Sequence, residues 1–352
     1  MKQIERRKAD HVEVTLEEDV STGKNYWEEV KLVHCSLPEV DLDQVETSVE
    51  VFGKKLAFPL IVTAITGGYP KAKKINRNLA QACAELQIGM GIGSQRAGLE
   101  HGEEDSYSVM KDFDIPLRIG NIGAPQLIKQ KGKRALDRTS IGRSMEMVDA
   151  HLLAVHMNFL QEVAQPEGDT KSTGCLDAIR SLAKEFPLLA KETGAGVSHE
   201  MAMRLRGIGM RGIDISGAGG TSFSAVEMYR AGRSGDARFE ALGRTFRSWG
   251  IPAPVSTIWA QVGVPVIASG GVSSGLDVAK GIALGASCGG MARAVLKDAL
   301  VSSEAVVERL RTVQAEFQVA MFLTGSRTVK ELGSKNFILT GEVRDWIAQF
   351  EE

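Results

Sequence analysis

The stretch LIVTAITGGYPKAKKINRNLAQACAEL, residues 60–86, contains the unit from which the fold is read. An apolar run, Leu60-Ile61-Val62, passes into small and hydroxyl-bearing residues and then Gly67-Gly68. Beyond the turn, Ile75, Leu79, Ala82, Cys83 and Leu86 recur at i, i+4, i+7, i+8 and i+11, which places them on one helix face. A buried strand, a polar turn at its carboxyl end and an amphipathic helix make one βα unit.

The same unit repeats outward along the chain. Further apolar runs end in polar residues at Gly91-Ile92-Gly93-Ser94-Gln95-Arg96, Leu117-Arg118-Ile119-Gly120-Asn121 and Leu153-Ala154-Val155-His156-Met157-Asn158. Others are Leu188-Leu189-Ala190-Lys191-Glu192, Gly212-Ile213-Asp214-Ile215-Ser216, Val264-Pro265-Val266-Ile267-Ala268-Ser269 and Gly289-Gly290-Met291-Ala292-Arg293. With the first run these make about eight strands, the number that closes a (β/α)8 TIM barrel. An open, doubly wound sheet is the competing arrangement, because alternation alone does not establish closure. The reading expects residues 1–352 to form one domain, with 1–56 as an N-terminal extension. Residues 217–256 are too many for a plain βα loop and are expected to form a lid or insertion. Residues 302–350 read as mostly helical, with a break near Leu332-Gly333-Ser334, finishing the outer ring and supplying contacts between subunits.

Composition narrows the class. The chain is 43% hydrophobic and 24% charged, an ordinary globular balance, and its formal charge of -2 gives no overall pull toward nucleic acid or membrane. Cys35, Cys83, Cys175 and Cys288 form no C-x-x-C pair. With no apolar leader in the first residues and no apolar run of about 20, the chain is expected to be reduced and cytoplasmic.

The chemistry gathers at the strand ends. Ser269-Gly270-Gly271-Val272 and Gly290-Met291-Ala292-Arg293 fall after the seventh and eighth strands, where barrels commonly bind phosphate with backbone N–H groups; each alone is also an ordinary glycine turn. Lys191 ends a strand, so its ammonium either faces an electron-rich ring in the barrel mouth or pairs with Glu192 or another acid. Thr66, Ser94, Asn121, Ser216 and Thr221 add hydrogen-bonding groups at other strand ends. In His156-Met157-Asn158-Phe159-Leu160-Gln161-Glu162, His156 and Asn158 share a side-chain direction. Glu162 either holds Mg2+ against a diphosphate or is a solvated loop carboxylate, and His156 reads equally as a hydrogen-bonded core residue. Arg7-Lys8 is a mobile basic tail or, with Arg96, a cationic clamp over an anion.

Taken in order, Arg7-Lys8 with Asp10-His11, Thr63-Ala64-Ile65-Thr66-Gly67-Gly68, Gly93-Ser94-Gln95-Arg96, the His156–Glu162 segment, Pro166-Glu167-Gly168-Asp169, Lys191-Glu192, Gly217-Ala218-Gly219-Gly220-Thr221 and Gly290-Met291-Ala292-Arg293 resemble the type 2 isopentenyl-diphosphate isomerases. The likeness runs from residue 7 to about residue 297. It implies interconversion of isopentenyl and dimethylallyl diphosphate in isoprenoid biosynthesis, by flavin-assisted proton addition and removal, with FMN, Mg2+ and NADPH as the usual reductant. FMN would meet Ala64, Ile65, Thr66, Ser94, Asn121, Lys191, Ser216, Thr221, Gly270, Gly271, Ala292 and Arg293. The substrate would meet Arg7, Lys8, Ser94, Gln95, Arg96, His156, Asn158 and Gln161, with Gln161, His156 and Lys191 as the catalytic group and Glu162 as the metal ligand. Family members often carry methionine where Ile65 stands. The resemblance also implies a homotetramer or homo-octamer.

Two other classes share parts of this inventory. Another FMN barrel, of the α-hydroxy-acid oxidase or dehydrogenase type, would use the two glycine segments but not Arg7-Lys8 or Glu162. A non-catalytic flavin-binding regulator would keep the barrel without needing Lys191, Gln161 and Glu162. NADPH use is not visible as a dinucleotide fingerprint, since Gly89-Met90-Gly91-Ile92-Gly93-Ser94 fails G-x-G-x-x-G at its last position.

Overall fold

The computed structural model of the chain describes residues 3–351. Eight parallel strands close on themselves: β1 (Leu60–Val62), β2 (Gly89–Gly91), β3 (Arg118–Gly123), β4 (Leu152–His156), β5 (Leu188–Lys191), β6 (Ile213–Asp214), β7 (Val266–Ala268) and β8 (Cys288–Met291). The closing pair is β8 on β1, with Gly289 opposite Leu60 and Met291 opposite Val62. This pairing excludes the open sheet. Both faces of such strands are covered, which is why they read as continuous apolar runs rather than alternating ones.

Ile61, Ile119, Leu152, Leu189, Ile267 and Cys288 fill the barrel interior, and Val51 and Leu56 join them from a hairpin of strands Val49–Val51 and Lys54–Leu56. The two-residue turn, Phe52-Gly53, has φ of 53° and 68°, the left-handed pair that a tight hairpin requires. Phe52 tolerates that conformation while its ring occupies the space over Gly212, where a Cβ would lie 2.6 Å from Phe52 Cε1. The hairpin therefore plugs the amino-terminal end of the barrel and leaves the carboxyl end for the site. Outside the strands, Ala72–Glu85 buries Ile75, Leu79, Ala82 and Cys83 on the face read from the sequence.

The carboxyl end is covered by α1 (Gln3–Glu17) and by α3 (Phe223–Ser234), while α2 (Phe159–Ala164) follows β4 and α4 (Arg293–Val301) follows β8. Val14 and Val20 pack on Ala225 and Val226, so the N-terminal segment and the insertion form one cover. The C-terminal stretch is mostly helical, with helices Ser303–Leu323, Val329–Leu332 and Gly341–Glu351 and a break after Leu332, and in that break a short strand, Phe337–Leu339, pairs antiparallel with Val30–Leu32. Its three apolar residues carry no period of their own, and the partner lies some three hundred residues away in the chain. Among the described residues no helix is long and apolar enough to cross a membrane, and the four cysteines are free.

Gly275 shows how tightly the outer ring is packed, since a Cβ there would overlap the carbonyl oxygen of Val313 in the helix Ser303–Leu323. Gly275→Ala is expected to lower stability by ~1–3 kcal/mol through forced separation of the two helices. Denaturant unfolding monitored by circular dichroism measures it, and a variant as stable as the parent would contradict this packing.

Candidate functional site

One cavity of ≈ 370 Å3 opens at the carboxyl ends of the strands. It falls within the range of small-molecule sites, and its two ends differ in chemistry.

The first end lies after β7 and β8. Gly270 and Gly271 have φ of 90° and 82°, and a Cβ on either would overlap the carbonyl oxygen of Gly217 or Gly219 respectively. Two glycine loops thus interlock at backbone contact, which no other residue allows. From outside, Trp27 Nε1 donates to Gly270 O at 2.8 Å and Asn25 Nδ2 donates to Gly271 O at 3.4 Å. Beside them, α4 starts at Arg293 with no side-chain cap, and Ala292, Arg293 and Ala294 line the cavity. An uncapped helix start next to glycine-lined backbone attracts a phosphate.

The middle of the floor is polar. Lys191 on β5 stands beside Asp214 on β6, and its Nζ donates to Asp214 Oδ2 at 2.7 Å. Ser269 Oγ donates to the other oxygen of Asp214 and accepts from Ser216 N at 2.9 Å. Lys191 therefore faces the cavity and pairs with an acid, and that acid is Asp214. Glu192 turns the other way, its Oε2 accepting from the backbone N–H groups of Thr193, Gly194, Ala195 and Gly196. Across the floor, His156 Nδ1 meets Asn121 Oδ1 at 2.8 Å, while Asn121 Nδ2 donates to Ile92 O at 3.0 Å. Burial above all, then the Lys191, Lys8 and Arg96 cations, pulls His156 down to about 3. The neutral ring therefore donates from Nδ1 and leaves Nε2 free.

The second end lies under α1, which contributes Arg7, Lys8, His11, Val12 and Thr15. Lys8 Nζ donates to Ser94 O at 2.7 Å and to Tyr107 Oη at 2.6 Å. Burial, with Arg7 and Arg96 beside it and only partly offset by Glu100, pulls the Lys8 ammonium down to about 7. Arg96 donates from Nε to Glu100 Oε1 at 2.8 Å and from Nη1 to Asp169 Oδ2 at 3.0 Å. Opposite this cluster, Glu162 Oε2 accepts from Gln165 Nε2 at 2.7 Å and from Asp169 N at 2.6 Å, and Oε1 accepts from Asn158 Nδ2 at 2.9 Å. Oε2 thus has both lone pairs engaged, whereas Oε1 keeps one.

Gln161 is gripped at both ends of its amide, donating to Glu227 Oε1 at 3.0 Å and accepting from Asn158 Nδ2 at 3.2 Å. Glu227 is 1% exposed and also bonds His11 Nε2 at 2.8 Å and Arg230. Burial would raise its carboxyl, but His11, Arg230 and Gln161 outweigh that and hold it at about 2.

Of the residues singled out in the sequence, Ala64, Ile65, Thr66, Ser94, Asn121, Lys191, Ser216, Thr221, Gly270, Gly271, Ala292 and Arg293 line this cavity, as do Arg7, Lys8, Arg96, His156, Asn158, Gln161 and Glu162. Gln95 is placed differently: its side chain is fully buried and does not line the cavity, donating to Ser144 O at 2.7 Å and accepting from Asn121 N at 2.8 Å, so that it braces β3. Residues given no role in the sequence reading also belong here: Glu227, Asp214, Gln165 and Tyr107. Asp214 had a signal, an acid inside an apolar strand run; Glu227 had none, being one carboxylate on an amphipathic helix.

The residues fit the groups that the resemblance implies. Buried atoms without partners, Arg7 Nε, Asn158 Oδ1 and Gln165 Oε1, surround the second end, as expected where an anion and a hydrated hard cation complete the bonding. Among the described residues no group of three or more His, Cys, Asp or Glu could hold a metal ion. Glu162 would thus serve as a single protein carboxylate to Mg2+, with substrate and water completing the shell.

Comparison with known proteins places the chain. The FMN-dependent dehydrogenase family model matches residues 155–339, which makes the class that of FMN-dependent barrel enzymes. Solved structures of that architecture include a flavocytochrome b2 mutant (TM-score 0.66, 17% identity, 94% of this chain and 83% of that one). A mandelate oxidase mutant with a C4a-OH-FMN adduct is similar (TM-score 0.63, 18% identity, 96% and 99%). At these identities they share the fold alone. Within the class, the chain belongs to the isopentenyl-diphosphate delta-isomerase family. The protein of that name from Thermoplasma acidophilum is 45% identical over 98% of this chain and 99% of its own length. The one from Halobacterium salinarum is 44% identical over 99% and 97%.

Lys8 carries a pH prediction. With its ammonium pulled down to about 7, Lys8 is mostly charged below that pH and increasingly neutral above it in the free protein, so that binding an anion at higher pH requires proton uptake. Affinity for Mg2+-pyrophosphate is therefore expected to fall as pH rises above 7, by up to about tenfold per unit. Lys8→Arg, which stays charged, is expected to flatten the profile. Calorimetry from pH 6 to 9 on both proteins tests this, and identical slopes would remove Lys8 from the site.

Proposed function

We propose that this chain interconverts isopentenyl and dimethylallyl diphosphate, using FMN, Mg2+ and NADPH as reductant, in the cytoplasm as a homotetramer or homo-octamer. The observation that carries the reading is a single cavity with two anion-binding ends and a neutral imidazole and a doubly anchored amide between them. An oxidase acting on a small hydroxy acid needs no second end of this kind.

The reaction adds a proton at the terminal alkene carbon and removes one from C2, with no net redox change. Reduced FMN, when bound, supplies a ring position that exchanges protons beside the hydrocarbon. The chain does the rest. Arg7, Lys8 and Arg96 neutralise the diphosphate, and Glu162, its carboxylate fixed by Asn158, Gln165 and the Asp169 amide, would hold the Mg2+ that offsets the remaining charge. Val12 and Phe223, from the cover, give the five-carbon chain an apolar wall. Lys191 brings positive charge to the cofactor end, moderated by Asp214. Gln161, fixed by Asn158 and Glu227, orients the partner in proton exchange, and the cover of α1 and α3 excludes water. Placement and preorganised charge are the catalytic contribution of the protein.

The direct test is incubation of anaerobic, reduced, FMN-loaded protein with Mg2+ and isopentenyl diphosphate in D2O. Dimethylallyl diphosphate carrying deuterium in its newly formed methyl group is expected, with deuterium reaching C2 of isopentenyl diphosphate through the reverse reaction, and the reading fails if neither product nor label forms. Glu162→Gln is expected to weaken the Mg2+ dependence of turnover while FMN binding persists. Arg7→Ala is expected to raise KM by roughly 10- to 100-fold, the equivalent of a charge-assisted contact of about 1.5–3 kcal/mol. Initial-rate kinetics separate these effects, and an unchanged KM would return Arg7 to a solvated tail.

A further inference from the structure

The segment Pro166-Glu167-Gly168-Asp169 enters the mechanism so far only through the Asp169 amide, yet its side chains join the two arms of the diphosphate end. After α2 the chain folds back so closely that a Cβ on Gly168 would overlap the carbonyl oxygen of Glu162. This return carries Asp169 into the gap between the metal carboxylate and the cationic cluster, where it is 6% exposed. Its backbone N–H donates to Glu162 Oε2 at 2.6 Å. Its side chain accepts from Arg96 Nη1 at 3.0 Å through one oxygen and from Lys133 Nζ at 2.7 Å through the other. One residue therefore ties α2, the helix Arg96–His101 that follows β2, and the loop bearing Lys133.

We propose that Asp169 is a positioning residue that locks Arg96 and Glu162 into one frame, so that the cation and the metal ligand meet a diphosphate at a fixed separation. The inference rests on the reading of this cavity as a diphosphate site. Arg96 has five N–H donors and is almost wholly buried, with Glu100 as its other carboxylate partner. Without Asp169 the guanidinium is held from the Glu100 side alone, and the plane it offers to an oxyanion is no longer set. Bidentate recognition depends on that plane.

Charge and positioning predict opposite signs. Asp169 is an anion beside an anion site, so simple electrostatics says that Asp169→Asn should tighten pyrophosphate binding. Positioning says that it should weaken it. Calorimetry of FMN-loaded protein with inorganic pyrophosphate and Mg2+ separates them. Asp169→Asn is expected to lose at least tenfold in pyrophosphate affinity with FMN affinity within twofold of the parent. In an Arg96→Ala background the same change is expected to cost under twofold, because the group it positions is gone. In turnover the loss should fall on KM rather than kcat, with partial recovery in Asp169→Glu. Unchanged or tighter pyrophosphate binding overturns the proposal. So does a parallel loss of FMN affinity, which would mark a general collapse of the loop, or a full tenfold loss without Arg96. If the parent protein itself fails to bind Mg2+-pyrophosphate, it is the diphosphate reading that falls.

Discussion

A charge taken into the mouth of a closed barrel loses its water, and the arrangement of this site follows from how each such loss is offset. Lys191 meets Asp214, Arg96 meets Asp169 and Glu100, and Glu227 meets His11 and Arg230. These pairs fix side chains that would otherwise rotate. Elsewhere the balance is incomplete: Lys8 has hydrogen-bond acceptors in Ser94 O and Tyr107 Oη but stands beside the like charges of Arg7 and Arg96, and Arg7 Nε and the side-chain oxygens of Asn158 and Gln165 have no partner. Those deficits have one spatial pattern, cationic on one wall and oxygen-rich on the other, and a diphosphate carrying a divalent cation would complement both walls.

Burial also decides which protonation states the floor can hold. His156 is kept neutral because three cations surround an already dehydrated ring, whereas Glu227 is kept ionised although burial opposes it, because its partners outweigh the penalty. Two buried titratable groups in one cavity thus have fixed and different states at neutral pH. Gln161, bonded to Glu227, inherits a defined amide orientation: the carboxylate can only accept, so the Nε2 end must face it.

How much of this was legible in the chain depended on the range of the interaction. The eight strands announced themselves because each is buried on both faces and stops at polar residues, a local property. The helix face at Ile75, Leu79, Ala82 and Cys83 did so for the same reason. The ligand-facing residues were visible as polar groups at strand ends, which is where a parallel barrel gathers them. Pairing was not visible. That Lys191 would choose Asp214 over the adjacent Glu192 depends on strand register, which sends neighbouring side chains to opposite faces. The direction of Gln95 was hidden for a related reason: it sits between two cavity residues, Ser94 and Arg96, but points behind β3. Phe337–Leu339 and Glu227 owe their places to segments distant in sequence, Val30–Leu32 and α1, and nothing local records such partners.

The barrel alone does not choose the chemistry, since a mandelate oxidase and a flavocytochrome b2 at 17–18% identity share it. Over the mouth of this barrel lies the cover formed by the N-terminal segment and α3. The apolar contact between the N-terminal segment and α3 is small, with Val14 of α1 and Val20 just beyond it packed on Ala225 and Val226, flanked by Phe223 and Tyr229. Much of the remaining attachment is polar: His11 to Glu227, Arg233 to Glu17 and Glu18, and Lys8 to Ser94 and Tyr107. A cover built this way carries little hydrophobic stabilisation of its own. Two of its cations, Arg7 and Lys8, stand beside Arg96, and an anion placed among the three would lower their mutual repulsion at the point where the cover meets the barrel.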